Sequence, residues 1–180
     1  MIYVLGKILT FLKYFEKVLA GLCFGGLTIL MGLDVGGREI FNSGIEWAQK
    51  AAILLMIWGG FLGAALTSGE GGHLRPEIAD KLWPKSAHNF QKGLEHFLIG
   101  MFCLFFLYLS YVHVSEAKNF GDIHPVIELL PLWVVKTIFP YTFMAMAFRH
   151  LIYSFIPSLR PATKNEATDA LAEIQNGGKA

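Results

Sequence analysis

Residues 51–69 read AAILLMIWGGFLGAALTSG and lie between Lys50 and Glu70 with no charged side chain among them. A helix needs about 20 apolar residues to cross the hydrocarbon core of a bilayer, so this run decides the fold class. Working outward, similar intervals recur between charges. Residues 18–37 lie between Lys17 and Arg38, interrupted only by Asp34. Residues 96–115 lie between Glu95 and Glu116, with His96 and His113 near their ends. A fourth run, 129–148, contains Lys136 and Pro140. A helix over 132–153 accommodates it if Lys136 snorkels outward at one end and Arg149 at the other. The expectation is an all-α integral membrane protein, because lipid cannot satisfy an open backbone. It has four transmembrane helices, about 18–37, 49–69, 94–115 and 132–153. They form a membrane domain over 1–156, followed by a polar cytoplasmic tail over 157–180.

Composition agrees. Of 180 residues, 54% are hydrophobic and 16% charged, and the mean hydropathy is +0.47. Soluble domains carry about 25% charged residues, and a short soluble chain has too much surface to hide so much apolar material. An ordinary soluble enzyme, a disordered chain and a secreted disulfide scaffold are excluded. The net charge of +1 gives no bulk basic field for nucleic acid. Cys23 and Cys103 both sit in apolar runs and read as small buried hydrophobes.

Lysine and arginine in short loops set orientation. Eleven fall on one side of the four spans and four on the other, which places both termini in the cytoplasm. Trp47 and Trp133 then mark the outer interface, and Trp83 and Tyr153 the inner one. The first 17 residues lack a cleavage site and are broken by Lys7, Lys13 and Lys17, so they do not read as a signal peptide. As a helix they set these lysines against Leu5, Ile8, Leu9, Phe11, Leu12 and Phe15, the pattern of an interfacial amphipathic helix. A second such helix is expected between spans 2 and 3, from Pro76 to Pro84, with Glu77 and Lys81 paired at i,i+4. Lys7, Lys13, Lys17, Lys81, Lys85 and Lys92 are candidate contacts to lipid headgroups.

Chemistry is sparse. His73, His96 and His150 map to the cytoplasmic ends of spans 2, 3 and 4, so a haem- or quinone-binding anchor of a redox enzyme is one rival reading. None of the three lies well inside a span. A self-sufficient small channel is a second rival, but no acid falls at the middle of any span, and Asp34 pairs locally with Arg38. Gly21 and Gly25, Gly32 and Gly36, and Gly59 and Gly63 repeat at the four-residue spacing that lets helix backbones approach. Packing within the bundle is the favoured use for them. Gly69 to His73 is glycine-rich but follows a membrane helix, not a strand, so a phosphate-loop reading fails on context. Nothing pairs a nucleophile with a base. The polar machinery lies at the rims, as in a subunit of a larger assembly.

Three rim motifs make the chain resemble the small membrane subunit, DctQ-like, of tripartite ATP-independent periplasmic (TRAP) transporters. Arg38-Glu39-Ile40-Phe41-Asn42 followed by Trp47 is similar to the family's arginine, turn and tryptophan. Phe61-Leu62-Gly63-Ala64-Ala65 running into Gly72-His73-Leu74-Arg75 resembles its glycine-alanine helix and Gly-His-hydrophobic-Arg turn. Leu130-Pro131-Leu132-Trp133 resembles the entry to its last helix. One departure is that Ala48-Gln49-Lys50 stands where the family often carries acids, and Glu46 is the candidate replacement partner for Arg38. The resemblance implies a non-catalytic scaffold without cofactor or metal, in the bacterial inner membrane. It would work with a large membrane subunit and a periplasmic substrate-binding protein in sodium-coupled import of organic acids such as dicarboxylates or sialic acids. Asn42, Ser43, Glu46, Lys118, Asn119 and Asp122 are then candidates to touch the docked binding protein.

Overall fold

The computed structural model describes residues 2–69, 88–121, 123 and 131–161. These form helices α1 (Ile2–Phe41), α2 (Ala48–Gly69), α3 (His88–Phe120), α4 (Leu132–Lys136) and α5 (Ile138–Phe155), then a 3₁₀ turn over Pro157–Leu159. The described residues are helical apart from connecting turns and one bridge between Ile123 and Pro131. Among the described residues, three helices are long and apolar enough to cross a membrane: Ile2–Phe41, Ala48–Gly69 and Asn89–Phe120.

Two expectations are revised. The N-terminal amphipathic segment and span 1 are not separate elements. They form one 40-residue helix, about 60 Å long at 1.5 Å per residue. Nothing in the sequence between Tyr14 and Ala20 breaks a helix, since Phe, Glu, Lys, Val and Leu all tolerate it. The expected span 132–153 is not one helix but two, meeting at Thr137. Pro140 explains the break. It has no N–H for the carbonyl of Lys136, and its ring crowds that carbonyl. The chain tightens here, with the Thr137 N–H bonded to the Val134 carbonyl at 3.2 Å. The indole N–H of Trp58 donates to the Val135 carbonyl at 3.1 Å. A neighbouring helix thus helps satisfy backbone at a break, as membrane proteins require. The expected helix over 76–84 and residues 162–180 of the tail lie outside the described residues.

The principal packings pair α1 with α2, α2 with α5, and α5 with α3. The long helices therefore stand in a row, α1–α2–α5–α3. The core of the first three is small: Ala20, Cys23, Leu62 and Ile138, covered by Leu55, Trp58, Phe61 and Phe139. Gly59 lets α1 and α2 close, because a Cβ there would lie 3.2 Å from the Phe24 ring. Cys23 and Cys103 are free and buried. The four-residue glycine repeats are mostly not used inside the chain. A Cβ at Gly21, Gly25, Gly32, Gly36 or Gly63 would meet nothing within 4 Å, which corrects the expectation of internal packing.

Candidate functional site

Apolar packing drives little association between helices already in lipid, so polar contacts and close backbones hold such bundles. The polar contacts gather at two ends. The lower end is where α2 and α5 finish and α3 begins. The upper end is where α1 finishes and α2 begins.

At the lower end Glu16 of α1 and Arg149 of α5 form an ion pair, Nη2 to Oε2 at 2.5 Å, with both side chains at most 1% exposed. Arg149 Nη1 donates to the carbonyl of Ala65 on α2. The Tyr141 hydroxyl donates to Glu16 Oε1 at 3.4 Å. One guanidinium thus ties three helices, using the geometry that suits arginine to carboxylate and carbonyl acceptors. Beside it, His150 Nε2 lies 2.9 Å from Ser68 Oγ on α2. Its Nδ1 lies 2.9 Å from His96 Nδ1 on α3. The His96 and His150 rings both flank Tyr153. Further out, Ser154 Oγ donates to the Gly93 carbonyl at 3.0 Å. Arg160 Nε donates to the Tyr153 carbonyl at 2.7 Å, and its Nη groups reach the carbonyls of Asn89 and Ser154 at 3.4 and 3.3 Å. Residues 157–161, expected to begin a tail, are therefore stitched to α3 and α5.

This network was largely missed in the sequence. Arg149 does not snorkel outward but turns into the bundle. The available signal was Glu16, the one acid in the first 33 residues. It lies on the same helical stripe as Leu9, Ala20 and Cys23, all of which are buried. An acid on a packing stripe asks for a buried cation.

His96 and His150 are brought together, as a haem anchor would need, but in direct contact. A metal holds each imidazole nitrogen at about 2 Å, so two opposed ligands stand about 4 Å apart. The 2.9 Å spacing is that of a hydrogen bond, with one Nδ1 donating to the other. His73 lies outside the described residues.

At the upper end Asn42 takes a left-handed φ of 51° and ends α1. The Ser43 N–H returns to the Gly37 carbonyl at 3.4 Å. Asp34 is 1% exposed. Its Oδ1 accepts the Ile45 N–H at 2.6 Å, and its Oδ2 meets Arg38 Nη2 at 2.8 Å. Gly44 closes over this pair, where a Cβ would stand 2.6 Å from Arg38 Nε and 2.9 Å from Asp34 Oδ1. The carboxylate partner of Arg38 is thus Asp34. Glu46 is exposed and does not replace it.

The other singled-out residues distribute as follows. Trp47 is exposed. Pro131 precedes α4 as its N-cap residue. Lys118 lies over the Trp133 ring at 5.6 Å, joining two residues picked for different reasons. Asn119 is exposed at the end of α3. The Asn42–Glu46 turn and the Lys118–Asn119 end thus share the upper end, on the two outer helices of the row. Lys7 lies over the Tyr3 ring at 4.8 Å, Lys17 is exposed, and Lys13 and Lys92 are half-buried. Gly72, His73, Arg75, Lys81, Lys85 and Asp122 lie outside the described residues.

Comparison with known proteins gives one family. Residues 27–160 match the family described as tripartite ATP-independent periplasmic transporters, DctQ component. That span holds α2, α3, α4, α5 and the end of α1 from residue 27. No curated protein matches the chain.

Proposed function

The chain belongs to the DctQ component family of the tripartite ATP-independent periplasmic transporters, and from that premise we propose that it is the non-catalytic scaffold subunit of a sodium-coupled importer of organic acids. Membership makes it a membrane component that works with other subunits of such a transporter. The finer reading adds a large substrate-carrying membrane subunit, a periplasmic substrate-binding protein and a bacterial inner membrane with both termini cytoplasmic.

The buried Glu16–Arg149–Ala65 tie supports this reading best. A moving carrier needs a fixed frame, and a charged tie across three helices is a device for rigidity. It opens only by stranding a charge in a poorly solvated place. The row of helices offers broad apolar flanks, with Leu22, Ile29, Leu33, Phe102, Phe105 and Tyr108 exposed. Such flanks suit lipid on one side and another membrane subunit on the other. At the upper end the Asn42, Ser43 and Glu46 turn and the Lys118 and Asn119 end are the surfaces for a docked binding protein.

The test is recovery of the chain with its partners. The full chain is tagged, extracted gently from native membranes and analysed by mass spectrometry. A large multi-span membrane protein at near-equal amount is the expected result. Recovery of the chain alone, or with soluble redox subunits, overturns the scaffold reading.

A further inference from the structure

The end of the chain's last long helix returns to the start of its first. A Cβ at Gly6 of α1 would lie 3.7 Å from Leu159 of the 3₁₀ turn that follows α5. Gly6, Ser158 and Leu159 also line one cleft with Gly69 and Arg149. If α1, α2 and α3 each cross a bilayer, the end of α3 stands on the face opposite the start of α1. The helix that brings the chain back is then α5. It is poorly made for that task. Its 18 residues reach about 27 Å at 1.5 Å per residue, and it is not among the three helices apolar enough to cross. It buries Thr142, Arg149 and His150, and arginine is among the costliest residues to insert. Arg149 stands about 9 Å of helix before Phe155. Its side chain is 1% exposed, so it turns inward and does not reach for the headgroups.

What α5 lacks in apolar length is met by groups on helices that precede it in the chain. Arg149 pairs with Glu16 of α1 and donates to the Ala65 carbonyl of α2. His150 lies 2.9 Å from Ser68 Oγ of α2. Trp58 of α2 bonds the Val135 carbonyl just before the break that leads into α5. Thr142 Oγ1 has no hydrogen-bond partner among the described residues, which adds to the cost of burying α5.

Chain order makes this arrangement directional. Glu16 comes 133 residues before Arg149. It stands just outside the apolar run 18–37, so α1 can insert on its own apolar length. When α5 emerges, the acid is already in place at the rim. An arginine entering poorly solvated surroundings then meets its counter-charge at once, where alone it would carry the full penalty. We propose that Glu16 draws α5 across the membrane. The topology of the last span is set by a partner on the first helix and not by the composition of α5. This inference does not depend on the scaffold reading.

The test reads topology, which does not require a variant to fold stably. The full chain, carrying Cys23→Ala and Cys103→Ala, is synthesised in a cell-free system with bacterial inner-membrane vesicles. Single cysteines are then labelled with an impermeant polyethylene-glycol maleimide, before and after the vesicles are opened. Tyr3→Cys and Ser158→Cys are expected on one face of the membrane and Asn119→Cys on the other. Adding Glu16→Gln should raise the wrong-face fraction of Ser158→Cys about tenfold, for the loss of one charge-assisted contact. Arg149→Leu should leave that fraction at or below its starting level, because it removes the charge that α5 cannot insert unaided. Glu16→Gln combined with Arg149→Leu should behave like Arg149→Leu. A pair that only stiffens the finished bundle would not show this asymmetry. Three results overturn the proposal: Tyr3→Cys and Ser158→Cys on opposite faces, an unchanged fraction in Glu16→Gln, or an equal rise in Glu16→Gln and Arg149→Leu.

Discussion

At the residue scale, the Glu16–Arg149 pair dominates. Removing one partner of a buried pair costs about 3–5 kcal/mol, because the other charge is left uncompensated. Glu16→Gln is therefore expected to lower the stability of the purified chain by that order, read as thermal unfolding in detergent. The double variant Glu16→Leu with Arg149→Met removes both charges and should recover most of the loss, as apolar replacements of buried pairs often do. A double variant no better than Glu16→Gln would mean that the tie is not a charge pair in the folded chain. Ser68→Ala removes one neutral partner of His150 and should cost about 1 kcal/mol. The Asp34–Arg38 pair at the upper end was legible in the sequence because its partners stand four residues apart on one helix. Glu16–Arg149 was not, because its partners lie 133 residues apart and nothing in the local pattern of either says where the other will be. The sequence offered only half of it, an acid on a packing stripe.

At the element scale, the long uncharged runs located α2 almost to its ends and only the middle of α3, which runs past the expected 94–115 at both ends, since lipid leaves a helix as the only economical backbone. The merging of the N-terminal segment with span 1 was less visible. Amphipathicity reports which side of a helix meets water, and not whether the helix stops. Pro140 was visible in the sequence. Its consequence at Thr137 depends on whether neighbours can cover the backbone around the break, and Trp58 bonds the Val135 carbonyl there. Trp58→Phe keeps an aromatic ring, though a smaller one, and removes the donor, so it is expected to cost at least about 1–3 kcal/mol for the uncovered Val135 carbonyl. A comparison of glycines tests the packing. Gly59→Leu drives a side chain into the Phe24 ring and should cost about 1–3 kcal/mol as overpacking. Gly25→Leu enters open space and should shift the isolated chain by no more than about 0.5 kcal/mol. The two positions look alike in sequence, each four residues from another glycine, and only the arrangement of helices separates them. Equal losses at both would place the Gly25 face inside the folded chain.

At the scale of the whole molecule, the row α1–α2–α5–α3 gives two ends with different chemistry. The lower end holds the cations Lys7, Lys13, Lys17, Lys92, Arg149 and Arg160 among the described residues, and the upper end holds the Asn42–Glu46 turn and the Lys118–Asn119 end. If the positive-inside bias governs insertion, the lower end faces the cytoplasm. Cysteine labelling tests this directly. Cys23 and Cys103 are buried at 6% and 3% exposure, so their background reaction with a membrane-impermeant maleimide should be low. Asn119→Cys lies on the exposed end of α3, and Ser158→Cys on the exposed 3₁₀ turn at the opposite end. In intact cells Asn119→Cys is expected to label and Ser158→Cys to stay unlabelled until the membrane is opened. The reverse pattern would invert the molecule and place the Glu16–Arg149 tie near the outer leaflet. Labelling of both in intact cells would contradict the separation of the two ends by a bilayer. The expected pattern would put the Glu16–Arg149 tie near the cytoplasmic leaflet, whose anionic headgroups attract the lysines gathered at that end.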